Sequence, residues 1–141
     1  MSRFPITIEE FREAYEKTGL YPVTMNFFVS RGYITKNGKF LTRECACPLG
    51  ALAAHKIGKS DFSVDTVGIV SERLRDEGYQ LTSLQFAGFT AGFDWDCDAK
   101  PRDPFDSAVN DREAFDFGQK CRSELMVPLR RAIEARENAT N

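Results

Sequence analysis

The sequence predicts a mainly α, compact single-domain helical bundle with one small β-hairpin near residues 33–42. Three observations carry that prediction. Apolar residues recur at intervals of three and four over most of the chain, the periodicity of helices that bury one face. Asn37-Gly38 stands between two short runs containing β-branched and aromatic residues, a strong local signal for a hairpin turn. The 141 residues are 42% hydrophobic and 28% charged, with no internal repeat, low-complexity tract or separating linker, as expected of one domain around one core. The domain is placed at 1–137 and a frayed tail at 138–141.

Thr7 and Glu10 have capping-box spacing, and Ile8, Phe11 and Tyr15 follow at helical intervals. This predicts an amphipathic helix over 7–18, stopped at Gly19. "MNFFVSRG" is read as a short second helix ending at Gly32, although its aromatic and β-branched residues also suit a strand. After the hairpin, Pro48 suits the first turn of a helix through "LGALAAHKI" to Gly58, which places Cys47 near the N-cap. Ser63 or Asp65 can cap a third helix carrying Val67, Val70 and Leu74 and ending at Gly78. Thr82 or Ser83 opens a fourth, in which Phe86, Phe89 and Phe93 form a core-facing stripe. Residues 94–110, rich in Asp and with two prolines, are predicted to be a loop. From Asp111 a long terminal helix carries Phe115, Gly118, Cys121, Leu125, Leu129 and Ile133 on one face, and Pro128 should kink or divide it.

Net charge is −2, which gives no general attraction for nucleic acid. The charge is unevenly placed. Arg31, Lys36, Lys39 and Arg43 occur with no acid among them, whereas Asp94 to Asp116 holds eight acids against Lys100, Arg102 and Arg112. Opposite patches of this kind suit a protein partner or self-association. No run of about 18 apolar residues and no signal-peptide stretch occurs, so the expected location is cytoplasmic, with no membrane contact.

Cys45, Cys47, Cys97 and Cys121, with His55, the only histidine, supply enough ligand types for zinc. Their spacing lacks the paired knuckles of a structural site. Of these, Cys45, Cys47 and Cys97 are the candidate metal or redox set, with His55 a further candidate ligand. The amides at a helix start can lower the pKa of Cys47. His55 lies about 12 Å further along the helix axis, too far to act as its base. Asp94, Asp96 and Asp98 have the one-three-five spacing of a calcium loop, but Ala99 and Phe105 occupy the positions that need Gly and Glu. No phosphate loop or nucleophile elbow is present.

Arg31-Gly32-Tyr33, then Cys47 and Leu49-Gly50-Ala51-Leu52, then Gly92-Phe93-Asp94 resemble the motifs of a group of small bacterial and phage proteins. Members join an Arg-Gly-aromatic turn to a Cys-x-Leu-Gly-Ala-Leu helix and a Gly-Phe-Asp segment. The resemblance covers about a fifth of the chain and implies a compact helical domain without implying an activity. Gly50, Ala51, Ala53 and Ala54 leave room for another backbone to approach, with the Gly88–Gly92 segment the expected neighbour.

The leading expectation is a non-enzymatic binding protein that contacts an anionic partner through Arg31, Lys36, Lys39 and Arg43, with Asp94, Asp96 and Asp98 as the opposite pole. The alternatives are a metal or thiol protein using Cys45, Cys47 and Cys97, and a small-molecule enzyme using the Asp94–Asp98 loop.

Overall fold

A computed structural model describes residues 4–24, 27–58, 67–95 and 111–140. Its elements are α1 (Ile8–Thr18), β1 (Tyr21–Pro22), β2 (Val29–Ile34), β3 (Phe40–Ala46), α2 (Pro48–Ile57), α3 (Val67–Asp76), α4 (Ser83–Asp94), α5 (Arg112–Cys121), a π-helical turn (Arg122–Met126) and α6 (Val127–Thr140). The fold is mainly α, with one small sheet of strand order β1-β3-β2. Strand β1 runs parallel to β3, and β2 runs antiparallel to it.

Local chemistry accounts for most of the boundaries. Thr7 Oγ1 accepts from the Glu10 amide at 3.2 Å while the Glu10 carboxylate accepts from the Thr7 amide at 3.0 Å, satisfying two donors that a helix start leaves orphaned. Thr82 and Gln85 repeat the device on α4 at 3.0 and 3.1 Å. Asp111 caps α5 through a carboxylate that accepts from the Ala114 amide at 2.8 Å. Helix α1 ends on Gly19, whose φ of 72° lies in the left-handed region.

The core is built from aromatic rings and small residues. Phe11, Phe89, Phe93 and Phe115 are fully buried; each contributes about 2–3 kcal/mol of apolar transfer. Phe89 stacks on Phe4 and Phe11 at centroid distances of 5.0 and 5.2 Å. Helix α2, built of small side chains, is buried from Pro48 to Ala54. The Tyr15 hydroxyl of α1 donates to the carbonyl of Ala46 at 2.8 Å, and the Val23 amide donates to the same carbonyl at 3.1 Å.

Two expectations need correction. Residues 29–34 form a strand instead of the end of a second helix, because Val29, Tyr33 and Ile34 pair with Cys45, Leu41 and Phe40 across a hairpin that extends from 29 to 46. Local preference was balanced there, and the ladder decided it. The small face of α2 also meets a different neighbour. A Cβ on Gly50 would overlap the Phe27 carbonyl, whereas Gly88 and Gly92 face the backbone of Asp111 and Phe115. The close helix pair is therefore α4 with α5. Gln119 donates to the carbonyls of Gly92 and Trp95, and Arg122 donates to that of Phe93 at 2.7 Å. These bonds satisfy acceptors at the end of α4.

The division of the terminal helix falls just before Pro128, where the π turn separates α5 from α6. Proline cannot bond to the carbonyl four residues back and crowds it, so a widened turn relieves both problems. The backbone of α6 runs to Thr140, and the two glutamates that tie α6 to the sheet lie at 134 and 137. The expected caps Ser63 and Asp65 lie outside the described residues, as do residues 96–110 of the predicted loop.

Candidate functional site

Strand alternation places Arg31 and Tyr33 of β2 on the same sheet face as Leu41, Arg43 and Cys45 of β3, because Arg31 pairs directly with Arg43 and Tyr33 with Leu41. Tyr21 of β1 pairs with Cys45 and joins this face. Helix α6 supplies Arg130, Glu134 and Glu137, spaced by four and three residues along one side of the helix.

Arg43 is the centre of the cluster. Its guanidinium carbon lies 4.0 Å from the centroid of the Tyr21 ring and 3.7 Å from that of Tyr33, so its cation is held by two π faces. Its Nη2 donates to Glu137 Oε1 at 2.7 Å, and the Tyr33 hydroxyl donates to Glu137 Oε2 at 2.9 Å. The Tyr21 hydroxyl donates to Glu134 Oε1 at 2.8 Å; burial first, and then this bond, raise the Tyr21 pKa above the usual tyrosine value. Arg130 Nε donates to the Pro22 carbonyl at 2.8 Å, with its guanidinium 5.3 Å from the Tyr21 ring. The Arg43 Nε is buried with no acceptor among the described residues.

Two adjoining grooves share Tyr33 and Arg43. One, of about 330 Å³, reaches toward the hairpin tip at Thr35 and Lys36 and includes Glu134 and Glu137. The other, of about 260 Å³, is bordered by Arg31, Arg43 and Arg130 with Tyr21, Tyr33 and Cys45, and no carboxylate lines it. The three arginines converge electrostatically on Cys45: burial pushes its thiol up, and Arg31, Arg43 and Arg130 each pull against that rise.

The opposite face carries the hairpin's apolar tip. Ile34 and Phe40 are cross-strand partners and are 72% and 68% exposed. The Phe40 ring occupies the space beside Gly32 where a side chain would stand, an aromatic covering a strand glycine. Lys36, Asn37 and Gly38 form the turn, closed by Thr35 N–H to Lys39 O at 2.8 Å, with Gly38 at φ 82°. This three-residue turn with a left-handed glycine replaces the tighter Asn-Gly turn that the dipeptide suggests. Arg31, Lys36 and Lys39 are exposed. Arg43 differs from them, being half-buried and ion-paired.

The remaining predicted residues divide by burial and by position. Cys47 is the N-cap of α2, but burial outweighs the pull of the Gly50 and Leu49 amides and pushes its thiol up to about 12. Cys121 is buried and likewise reaches about 12. Cys45 is buried, and its thiol lies 3.6 Å from the Arg43 carbonyl. His55 sits in the last turn of α2, at the end opposite Cys47. Asp94 is the last residue of α4; Asp96, Cys97 and Asp98 lie outside the described residues. Among the described residues no three His, Cys, Asp or Glu side chains come together as a metal site would require.

Sequence reasoning missed Tyr21, Arg130, Glu134 and Glu137. The only available signal was the 130–134–137 spacing, which also fits a solvated helix face. No family model matches the chain, and no curated protein or solved structure does so either.

Proposed function

We propose that this protein is a non-enzymatic binding protein of bacterial or phage origin, acting in the cytoplasm, that holds an acidic segment of a protein partner on the β2–β3 hairpin. The observation that carries the reading is the exposed Ile34–Phe40 pair at the base of the turn that holds Lys36 and Lys39, on a hairpin with no acidic residue from Val29 to Arg43. Apolar area supplies affinity, and the surrounding cations select an acidic chain. Strand β2 is an edge strand whose outer side pairs with no strand among the described residues, so an extended segment can add to it by main-chain hydrogen bonds. Arg43 is committed to Glu137, which leaves Arg31, Lys36 and Lys39 to face the partner. Zinc or thiol chemistry at Cys45, Cys47 and Cys97 has less support, because burial holds the first two as protonated thiols.

The test uses a labelled peptide of alternating Glu and Ile, followed by fluorescence anisotropy at low and moderate salt. Binding should weaken with salt and fall roughly fivefold or more in both Lys36→Ser/Lys39→Ser and Phe40→Ser. Equal binding by wild type and both variants overturns the reading, as does tighter binding of a duplex DNA of the same charge. A dimer by light scattering that dissociates in Phe40→Ser would identify the partner as a second copy of this chain and would support the same surface.

A further inference from the structure

We infer that the groove bordered by Arg31, Arg43 and Arg130 is a socket for a phosphoryl dianion, carried on a side chain of the acidic segment that the hairpin holds. The inference rests on the hairpin reading for its peptide source and on the groove's own chemistry for the phosphoryl group.

The charge balance is the first argument. Glu137 neutralises Arg43 through the 2.7 Å pair. Neither Arg31 nor Arg130 has an ion-pair partner among the described residues. Glu134 is held by the Tyr21 hydroxyl and does not line this groove. Arg31 and Arg130 therefore border a groove that no carboxylate lines, although Glu134 beside Tyr21 brings the whole cluster to a net charge of +1; the two guanidinium groups suit a phosphate monoester, whose charge approaches −2 above its second pKa of about 6. A carboxylate or a phosphodiester carries half that charge.

Donor geometry is the second. Guanidinium groups present forked N–H pairs that suit the oxygens of a tetrahedral anion. Arg130 spends its Nε on Pro22 O, which fixes the group and leaves its terminal nitrogens for a ligand. Arg43 is clamped between the Tyr21 and Tyr33 rings, so that part of the socket is ordered before anything binds. The buried, unpartnered Arg43 Nε shows that the cluster holds more donors than the protein's own acceptors use, and at about 260 Å³ the groove has room for the anion.

Position is the third. Arg31 and Gly32 of the edge strand border the groove, and Ile34 follows two residues on. A segment laid along β2 can therefore place one side chain against the tip and another at the socket.

Isothermal titration at fixed ionic strength with three probes tests the inference: N-acetyl-phosphoserine amide, inorganic phosphate and acetate. The phosphoserine amide should bind saturably and acetate roughly tenfold more weakly. Arg31→Gln and Arg130→Gln should each lose about tenfold, and Arg31→Lys should lie between. Arg31 is exposed, so its variants are expected to fold, and thermal melting confirms that they do. Lack of saturation, equal binding of acetate, or an unchanged affinity in Arg31→Gln overturns the socket. Inorganic phosphate binding more tightly than the ester would overturn the peptide source while placing a free anion at the same arginines. The two readings fail separately: loss of Glu/Ile peptide binding in Lys36→Ser/Lys39→Ser, without any phosphate binding, removes the socket and leaves the hairpin surface standing.

Discussion

Arg43 of β3 and Glu137 of α6 form a 2.7 Å ion pair between side chains only 16% and 23% exposed, joining the sheet to the last helix across 94 positions of sequence. Removing one partner leaves the other charge half-buried. Glu137→Gln is expected to cost about 2 kcal/mol in urea unfolding, with little dependence on salt because the pair is shielded from bulk ions. A loss below a few tenths of a kcal/mol would mean that the pair behaves like an exposed one.

The α4–α5 crossing makes a sharper demand. A Cβ on Gly92 would overlap the Phe115 carbonyl and stand 2.9 Å from its carbon, and backbone cannot give way as a flexible side chain can. Gly92→Ala should cost about 3 kcal/mol or more. Gly38→Ala is the comparison, because that position has open space and φ 82° and should lose only about 1 kcal/mol. Equal losses in urea midpoints would disprove the close crossing.

Stability should fall on the alkaline side. Cys47 and Cys121 titrate at about 12 in the folded chain, against about 8.5 for a free thiol. As pH rises past the unfolded value, the unfolded chain loses these protons first, so it binds fewer protons than the native chain. The contribution is fully present below about pH 8 and is lost between about pH 9 and 12, at up to about 1.4 kcal/mol per pH unit for each thiol. Tyr15, raised well above its ordinary value by burial, adds to the decline above about pH 10. Urea midpoints collected from neutral to alkaline pH check this, and Cys121→Ala should flatten the slope. A wild-type midpoint unchanged through that range would contradict the burial of these groups.

The same burial makes a kinetic prediction. In a Cys97→Ser background, where Cys45, Cys47 and Cys121 remain, alkylation by iodoacetamide at neutral pH should be slow in the native protein and rapid in denaturant, by roughly a hundredfold or more. A thiol that reacts rapidly in the native state would restore the case for cysteine chemistry at the start of α2.

The elements that local chemistry determines were legible in the sequence. Thr7 with Glu10 announces a helix start because the capping partner lies three residues away, Thr82 or Ser83 and Asp111 mark two more starts, and Phe86, Phe89 and Phe93 announce a buried face by their spacing. Strand β2 was not legible, because its preference for a strand over a helix is settled by pairing with residues 40–45. The basic residues of the hairpin could be read as a patch. That Arg43 is withdrawn from it could not, since Glu137 shares no local pattern with it. Tyr21 and Arg130 reach the groove from opposite ends of the chain, and nothing in a linear string brings them together. The neighbour of the α2 small face was also hidden, because small residues show that something can come close and do not say what.

The π turn at Arg122–Met126 has one consequence for this surface. A π turn holds about one residue more than an α turn, so it acts as a phase shifter between two faces of one rod. The α5 side turns Phe115 and Gly118 toward α4, while the α6 side turns Arg130, Glu134 and Glu137 toward the sheet. Deleting a single residue here would give a more regular rod but would swing the second row by about 100°, carrying Glu137 away from Arg43. The apparent irregularity sets the timing between the two halves of the helix, and the arginine groove exists only while that phase is kept.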